Sequence, residues 1–279
     1  RSTLSSSSAA SDVYKRQDYA LAELTDSKEC QKAIEFIYKK YGQIDGLVNN
    51  AGINDGIGLK NGTSKQFIDS INKNVTHYFQ MAKLALPGLK KSKGSIVNIG
   101  SKVSYTGQGG TSGYAAACGA RNALTREWAV ELINDEIRVN EVIVAECYTP
   151  LYEKWIKTFK NPKKKINEIS QKIPLGKRMT TVEEISNMVI FLLSNKSSHT
   201  TGQIIFVDGA ESPHTQAHFD ALTLASAHFI ECFRITDEVD VYISRRSIIQ
   251  KIGINGRRYH MAPTFDSDNS IVGVFVDLT

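Results

Sequence analysis

Three side chains have types and spacing that together could move a proton. Ser101 closes the apolar run SIVNIG, and Tyr114 follows thirteen residues later at the start of a helical stretch. Asn74 lies inside an earlier helical stretch, SINKNVTHYF. Ahead of all three stands DGLVNNAG (Asp45–Gly52), a strand pattern ending in a tight turn. A tyrosine with a pKa near ~10 is a poor base at neutral pH, so such a set needs a fixed cation beside the phenol. One helical turn on, and on the same face, the chain reads Tyr114-Ala-Ala-Ala-Cys118. A neutral thiol supplies no positive field, and a thiolate would raise the tyrosine pKa further. Lys102 and Arg121 are close in sequence but not at the four-residue spacing. Cys118 as a nucleophile is the sharper alternative to a passive thiol. His77, three residues after Asn74, reads as a helix-face residue. His214 and His218 stand four apart with no third ligand in view, so no metal site is expected.

The elements that would position these groups alternate. Tyr19–Leu24 is a short apolar run. A helix follows with Asp26 as N-cap, Glu29 three residues on, an apolar face through Ile34 and Ile37, and Gly42 as its stop. Ile44–Asn49 reads as a buried strand. Thr63 with Gln66 opens a helix toward Leu86, ended by Pro87-Gly88. Ser95–Gly100 is the next strand, Tyr114–Leu132 a long helix, and Ile137–Val144 a strand. Thr181 with Glu184 opens a helix through Leu193, and Gln203–Val207 is the last strand of this part. Helical stretches between apolar strands predict a parallel sheet covered on both faces. Gly52-x3-Gly56-x-Gly58 has phosphate-loop spacing. It is fused to NNAG, however, and the next helix signal starts only at Thr63, so a loop near the substrate is expected instead.

NNAG, Ser-x12-Tyr and the helical asparagine, taken together, resemble the short-chain dehydrogenase/reductase family over residues 18–209. The runs VNNAGINDGIGL, GQGGTSGYAA, LTREWAVEL, TPLYEKWIKTF, IPLGKRMTT and SSHTTGQ look like its L-fucose dehydrogenase branch. The resemblance implies an α/β fold, a Rossmann-like doubly wound parallel sheet, N-terminally incomplete and followed by an unassigned C-terminal extension. It implies NAD or NADP as cofactor and a sugar or secondary alcohol as substrate. Tyr114 would be general acid/base, Ser101 would hydrogen-bond the reacting oxygen, and Asn74 would hold a water in a proton relay. The family carries a lysine at the position of Cys118, a departure expected to impair this chain. Glu23-Leu24 matches the acidic-aliphatic pair at the adenine, or is a strand end with a solvated carboxylate. Asn50, Ala51 and Gly52 would line the cofactor channel. Val144-Ala145-x3-Thr149 matches the family's PGxxxT, with Thr149 at the carboxamide. Gln108, Ser112, Glu146, Tyr152 and Trp155 are the substrate candidates, although aromatics at i and i+3 on a helix more often pack. The family's glycine-rich pyrophosphate loop has no counterpart before Asp18. The family also implies a homo-oligomer, dimer or tetramer.

Composition bounds the rest. Lys and Arg number 34 against 29 Asp and Glu, giving +5, with 41% hydrophobic and 23% charged residues. These are values of a globular protein. Lys163–Lys165 is the densest basic cluster and reads as a solvated helix face, so no nucleic-acid partner is expected. No apolar run reaches the ~18 residues of a membrane span. Four scattered cysteines form no CxxC, which fits a reducing compartment and a cytoplasmic chain. Residues 1–17 are Ser-rich, lack the apolar core of a signal peptide and are expected to be disordered or foreign to the fold. Residues 210–279 carry strand signals at Val239–Ile243 and Ile271–Leu278 and a turn at Asn255-Gly256. This extension motivates the competing reading, an inactive pseudo-enzyme serving as an interaction protein. Without earlier strands the sheet edge at Ile44–Asn49 is open, which predicts poor solubility unless Ile271–Leu278 fills the gap.

Overall fold

A computed structural model describes residue 18, residues 20–212 and four strands beyond them, Val239–Tyr242, Gln250–Ile254, Arg257–Phe265 and Ile271–Asp277. The chain divides near residue 214 into two units. Residues 1–17 and the pair His214 and His218 lie outside the described residues, as does the Asn255-Gly256 turn.

The first unit carries four parallel strands in the order β1 (Gly46–Asn49), β2 (Ser95–Ser101), β3 (Arg138–Val144) and β4 (Ile204–Val207). Alternation along β2 decides the layering. Ile96 faces a core with Tyr78, Leu89, Trp128 and Val139. Its neighbour Val97 faces the opposite core with Val142 and Leu192. Both faces are therefore covered, as a parallel sheet requires. Helices α1 (Ser27–Tyr41), α3 (His77–Ser92) and α5 (Ser112–Glu131) supply residues to the first core. Helix α8 (Val182–Leu193) covers the second.

Caps set the helix boundaries. Asp26 accepts from Lys28 N and Glu29 N, and Gly42 ends α1 at φ 77°, a conformation glycine adopts without steric cost. Glu29 does not close a capping box there; it accepts from Glu23 N instead. Thr63 with Gln66 and Thr181 with Glu184 do form capping boxes, at the starts of α2 (Ser64–Ile71) and α8. Three departures from the sequence reading have physical causes. Residues 20–24 form no strand: Leu21 is 94% exposed, and no described strand lies beside it to accept a ladder. Pro87-Gly88 does not end a helix, because α3 runs on to Ser92. The Tyr38 hydroxyl repairs the ladder there, accepting from Gly88 N at 2.8 Å and donating to Ala85 O at 3.3 Å. Between α2 and α3 the helix widens into a π-turn, Asn72–Thr76, which contains Asn74.

The second unit is a four-stranded antiparallel sheet, β5 (Val239–Tyr242), β6 (Gln250–Ile254), β7 (Arg257–Phe265) and β8 (Ile271–Asp277), in that order. Within this unit strand β8 pairs with β7, from Tyr259↔Asp277 to Phe265↔Ile271.

Arg138 joins β3 to α8. Its guanidinium donates to Leu192 O at 2.6 Å, Ser197 Oγ at 2.8 Å, Ser194 O at 3.2 Å and Leu193 O at 3.4 Å. These carbonyls form the negative end of α8, where the ladder has run out; Leu192 O also accepts from Ser95 Oγ. Arg138→Ala should therefore cost about 2–3 kcal/mol of stability, since charged donors to helix-end carbonyls are lost together. Urea unfolding checks this, and an unchanged midpoint would refute it.

Candidate active site

The carboxyl ends of β1, β2 and β3 open into a cavity of about 680 Å³. Ligands in open parallel sheets bind at this end, because the strand-to-helix loops there are free to shape a crevice. Asn50 and Gly52 reach it from β1, Gly100 and Ser101 from β2, and Val144 and Thr149 from β3. Tyr114 and Arg121 enter from α5, and the apolar edge of α8 closes the far wall.

Tyr114 is the third residue of α5, and its side chain is half-buried. Burial raises its pKa most; the thiol of Cys118 adds to the rise, while Arg121 and a hydrogen bond with Ser101 oppose it. Ser101 and Tyr114 are thus brought together across the strand–helix junction. Cys118 lies one turn on, fully buried, and its own pKa is pushed up, chiefly by burial. It is a neutral thiol, not the low-pKa thiolate a nucleophile needs.

Asn74 is fully buried. Its amide is spent mainly on backbone: Oδ1 accepts from Ile53 N at 2.7 Å and, more weakly, from Arg121 Nη2 at 3.4 Å, and Nδ2 donates to Ile53 O and Ser70 O at 2.9 Å. Its side chain therefore pins the loop after NNAG. Its backbone carbonyl accepts from Arg121 Nε at 2.9 Å and Nη2 at 2.5 Å. Arg121, which is not at the four-residue spacing from Tyr114, nonetheless lines the cavity. Seven residues are two turns less about 20°, so positions 114 and 121 share a face, and that i,i+7 relation was the available signal. Gly52 has no positive φ; what it provides is space. A Cβ there would meet Arg121 Nη2 and Asn74 Oδ1, each at 2.9 Å. The Ala51 carbonyl pairs with His77 Nε2 at 3.1 Å. His77 is buried, which lowers its pKa, and it serves the NNAG turn.

The remaining sequence candidates separate. Val144 and Thr149 line the cavity, and Thr149 also caps α6 (Pro150–Ile156). Glu23 is exposed and accepts from Thr25, and Leu24 O accepts from Cys30 Sγ; neither lines the cavity. Gln108 and Ser112 are exposed and also stand outside its lining. Glu146 sits between the lining residues Ala145 and Cys147 and pairs with Lys102 at 2.8 Å; Lys102 also bonds Glu211. Tyr152 and Trp155 are not in the lining. They form an aromatic row with Phe159, with centroids 5.1 and 5.0 Å apart, which is the packing role that their spacing also allowed. The glycine loop Gly52–Gly58 packs on the turn before α5: Gly113 N donates to Ile57 O, and a Cβ on Gly58 would meet Gly110 Cα at 2.7 Å. It opens no helix. Among the described residues no group of three His, Cys, Asp or Glu could hold a metal.

The lining suits the nicotinamide–ribose half of a dinucleotide, with polar groups from three strand ends around one tyrosine. The pyrophosphate half finds no such fit at the first helix. The α1 N-terminus is capped by Asp26 with Glu29 in its first turn, and these anions repel a phosphate where a glycine-rich loop would cradle it.

Comparison with known proteins gives the lineage. The family model described as enoyl-(acyl carrier protein) reductase matches residues 5–210. The 3-oxoacyl-[acyl-carrier-protein] reductase FabG of Thermotoga maritima is 36% identical over 69% of this chain and 76% of its own. The L-fucose dehydrogenase of Mus musculus is 32% identical over 68% of this chain and 69% of its own. The crystal structure of Cj0485 dehydrogenase superposes with a TM-score of 0.68 at 46% identity, covering 70% of this chain and 74% of that one. A likeness spanning the whole parallel-sheet unit, and a tyrosine and serine meeting at its carboxyl end, make this chain a member of the NAD(P)-dependent short-chain dehydrogenase/reductase family.

Proposed function

We propose that the chain is an oxidoreductase for a sugar or related secondary alcohol, L-fucose being the first candidate, with Tyr114 exchanging a proton with the substrate hydroxyl. The observation that carries this is the pairing of Ser101 with Tyr114 on the cavity wall. Ser101 would orient the reacting oxygen, and Tyr114 as phenolate would take its proton. When bound, the nicotinamide of NAD(P) supplies the hydride acceptor. Thr149, Val144 and Asn50 are the lining residues proposed to hold that ring. The likeness to L-fucose dehydrogenase supports the sugar, and Glu146 with Lys102 offers a polar flank to a hydroxyl-rich substrate. With a thiol at position 118 the chain is proposed to be slow.

The same reading carries a homo-oligomer and a cytoplasmic site. Phe79, Val130 and Ile133 are 51%, 73% and 57% exposed, beside a groove lined by Leu86 and Trp128 of the two long helices. Cys30, Cys118 and Cys147 are buried and unpaired with one another, as a reducing compartment allows. No described helix is long and apolar enough to cross a membrane.

The test is growth of reduced-nicotinamide absorbance with NAD or NADP and a panel of sugars that includes L-fucose. Tyr114→Phe serves as the blank. Turnover in the parent or in Cys118→Lys that disappears in Tyr114→Phe supports the reading. No turnover across the panel and no cofactor binding in either chain would favour the competing interaction role, which the C-terminal extension motivates.

A further inference from the structure

Arg121 is a buried cation with no ion-pair partner among the described residues. It is 3% exposed, and no carboxylate lies within ion-pairing distance of its guanidinium among the described residues. Its donors are spent on neutral carbonyls, Asn74 O at 2.5 and 2.9 Å and Ile99 O at 3.2 Å. Neutral acceptors leave the net charge unbalanced, and a buried unbalanced charge is kept only against a cost in desolvation. The guanidinium carbon stands 4.6 Å from the Tyr78 ring centroid and 5.8 Å from that of Tyr114. The side chain borders the same cavity as Tyr114.

We propose that Arg121 is a positioning residue that keeps positive charge beside the Tyr114 ring and so favours its phenolate in a chain with a thiol at position 118. This rests on the proposed role of Tyr114. The π-turn supports it structurally, because the Asn74 carbonyl receives two guanidinium donors and fixes the plane of the charge. Gly52 supports it by omission, since any side chain there would displace Nη2. Other groups face this charge. Tyr78 and His77 come from α3 and Glu141 from β3, while Cys118 and Ser101 flank Tyr114 itself.

The experiment is an alkaline titration of the chain with ring-labelled tyrosine, followed by NMR, with Tyr114→Phe identifying the resonance. Arg121→Gln should move the Tyr114 midpoint up by about one pH unit or more, the usual effect of an opposite charge at this range. Arg121→Lys keeps the charge but breaks the two-donor grip on Asn74, and should hold the midpoint within about half a unit of the parent. Equal shifts in the two variants, or none in either, would overturn the proposal, because a purely structural role does not distinguish charge from shape. Should the glutamine variant not fold, the parent chain still decides. The Arg121 Nε resonance should move with the Tyr114 midpoint and stay still in Tyr114→Phe; a resonance that ignores Tyr114 overturns the proposal. No cofactor or substrate enters this titration, so its outcome is separable from any failure of the oxidoreductase assay.

Discussion

Lysine in place of Cys118 should raise the rate of alcohol oxidation by at least about 10²-fold, the lower end of what general acid–base assistance contributes. The thiol is fully buried one turn from Tyr114, and it raises the tyrosine pKa. An ammonium on the same helix face would act in the opposite sense, stabilising the phenolate that takes the substrate proton. The gain belongs at the lower end because Arg121 already supplies part of the field, with its guanidinium 5.8 Å from the Tyr114 ring. The two cations should also be less than additive: Arg121→Gln should cost less activity in Cys118→Lys than in the parent, as neighbours acting on one group do. The measurement is kcat against pH for the four chains. The acidic limb should move down by about one pH unit in Cys118→Lys. If cofactor binding is measurable and both rate and profile stay where they are in the parent, position 118 does not control Tyr114.

What was legible in the sequence was local. Asp26, Thr63 and Thr181 announce helix starts because a cap is satisfied within three residues, and all three act as caps. Strands β2 and β3 were readable because a strand buried on both faces is a continuous apolar run. Ser101 and Tyr114 were legible as a pair because a strand end and the start of the long helix leading to the next strand are neighbours in a parallel fold. Long-range contacts decided what was not legible. Nothing near Pro87 in sequence shows that the Tyr38 hydroxyl will carry the helix past it. Residues 20–24 are mostly apolar, but they are Ala, Leu and Glu, which favour helix over strand, and no described strand lies beside them. Four-residue spacing is not the only one that faces Tyr114: an arginine seven residues on is long enough to lie against the ring. Strands β6 and β7 were missed in a stretch whose alternation is interrupted by charged residues and glycines. Glu141 gave no signal at all, because a single acid inside the apolar run IRVNEVIV reads as a blemish in a strand.

That acid carries the second large expectation. Glu141 is fully buried on β3, and burial raises its pKa to about 7, against the weaker pull of Thr125, Arg121 and Arg126. A Cβ on Gly100 would collide with its Oε1, so β2 leaves room for this carboxyl. Asn49 Nδ2 donates to Asn98 Oδ1 at 3.0 Å, Asn98 Nδ2 to Thr125 Oγ1 at 2.9 Å, and Thr125 Oγ1 lies 3.3 Å from Glu141 Oε2. A polar chain thus crosses the core from β1 to β3 beneath the cavity. The folded pKa exceeds the unfolded value of 4.5, so the folded state holds the proton more tightly. Its contribution to stability is complete below pH 4.5, declines as pH rises toward about 7 and is lost above it. At about 1.4 kcal/mol per pH unit, that decline amounts to roughly 3 kcal/mol at most. Glu141→Gln removes the titration and keeps the shape, and the Asn122 amide nitrogen, which faces Glu141, can still donate to the new side-chain oxygen. The variant should therefore match the parent near pH 4.5 and exceed it by about 2–3 kcal/mol at pH 8. Urea unfolding of both chains at the two pH values is the check. A parent and variant whose difference is the same at both would show that Glu141 is ionised in the folded chain throughout, and that the polar chain beneath the cavity holds a charge, not a proton.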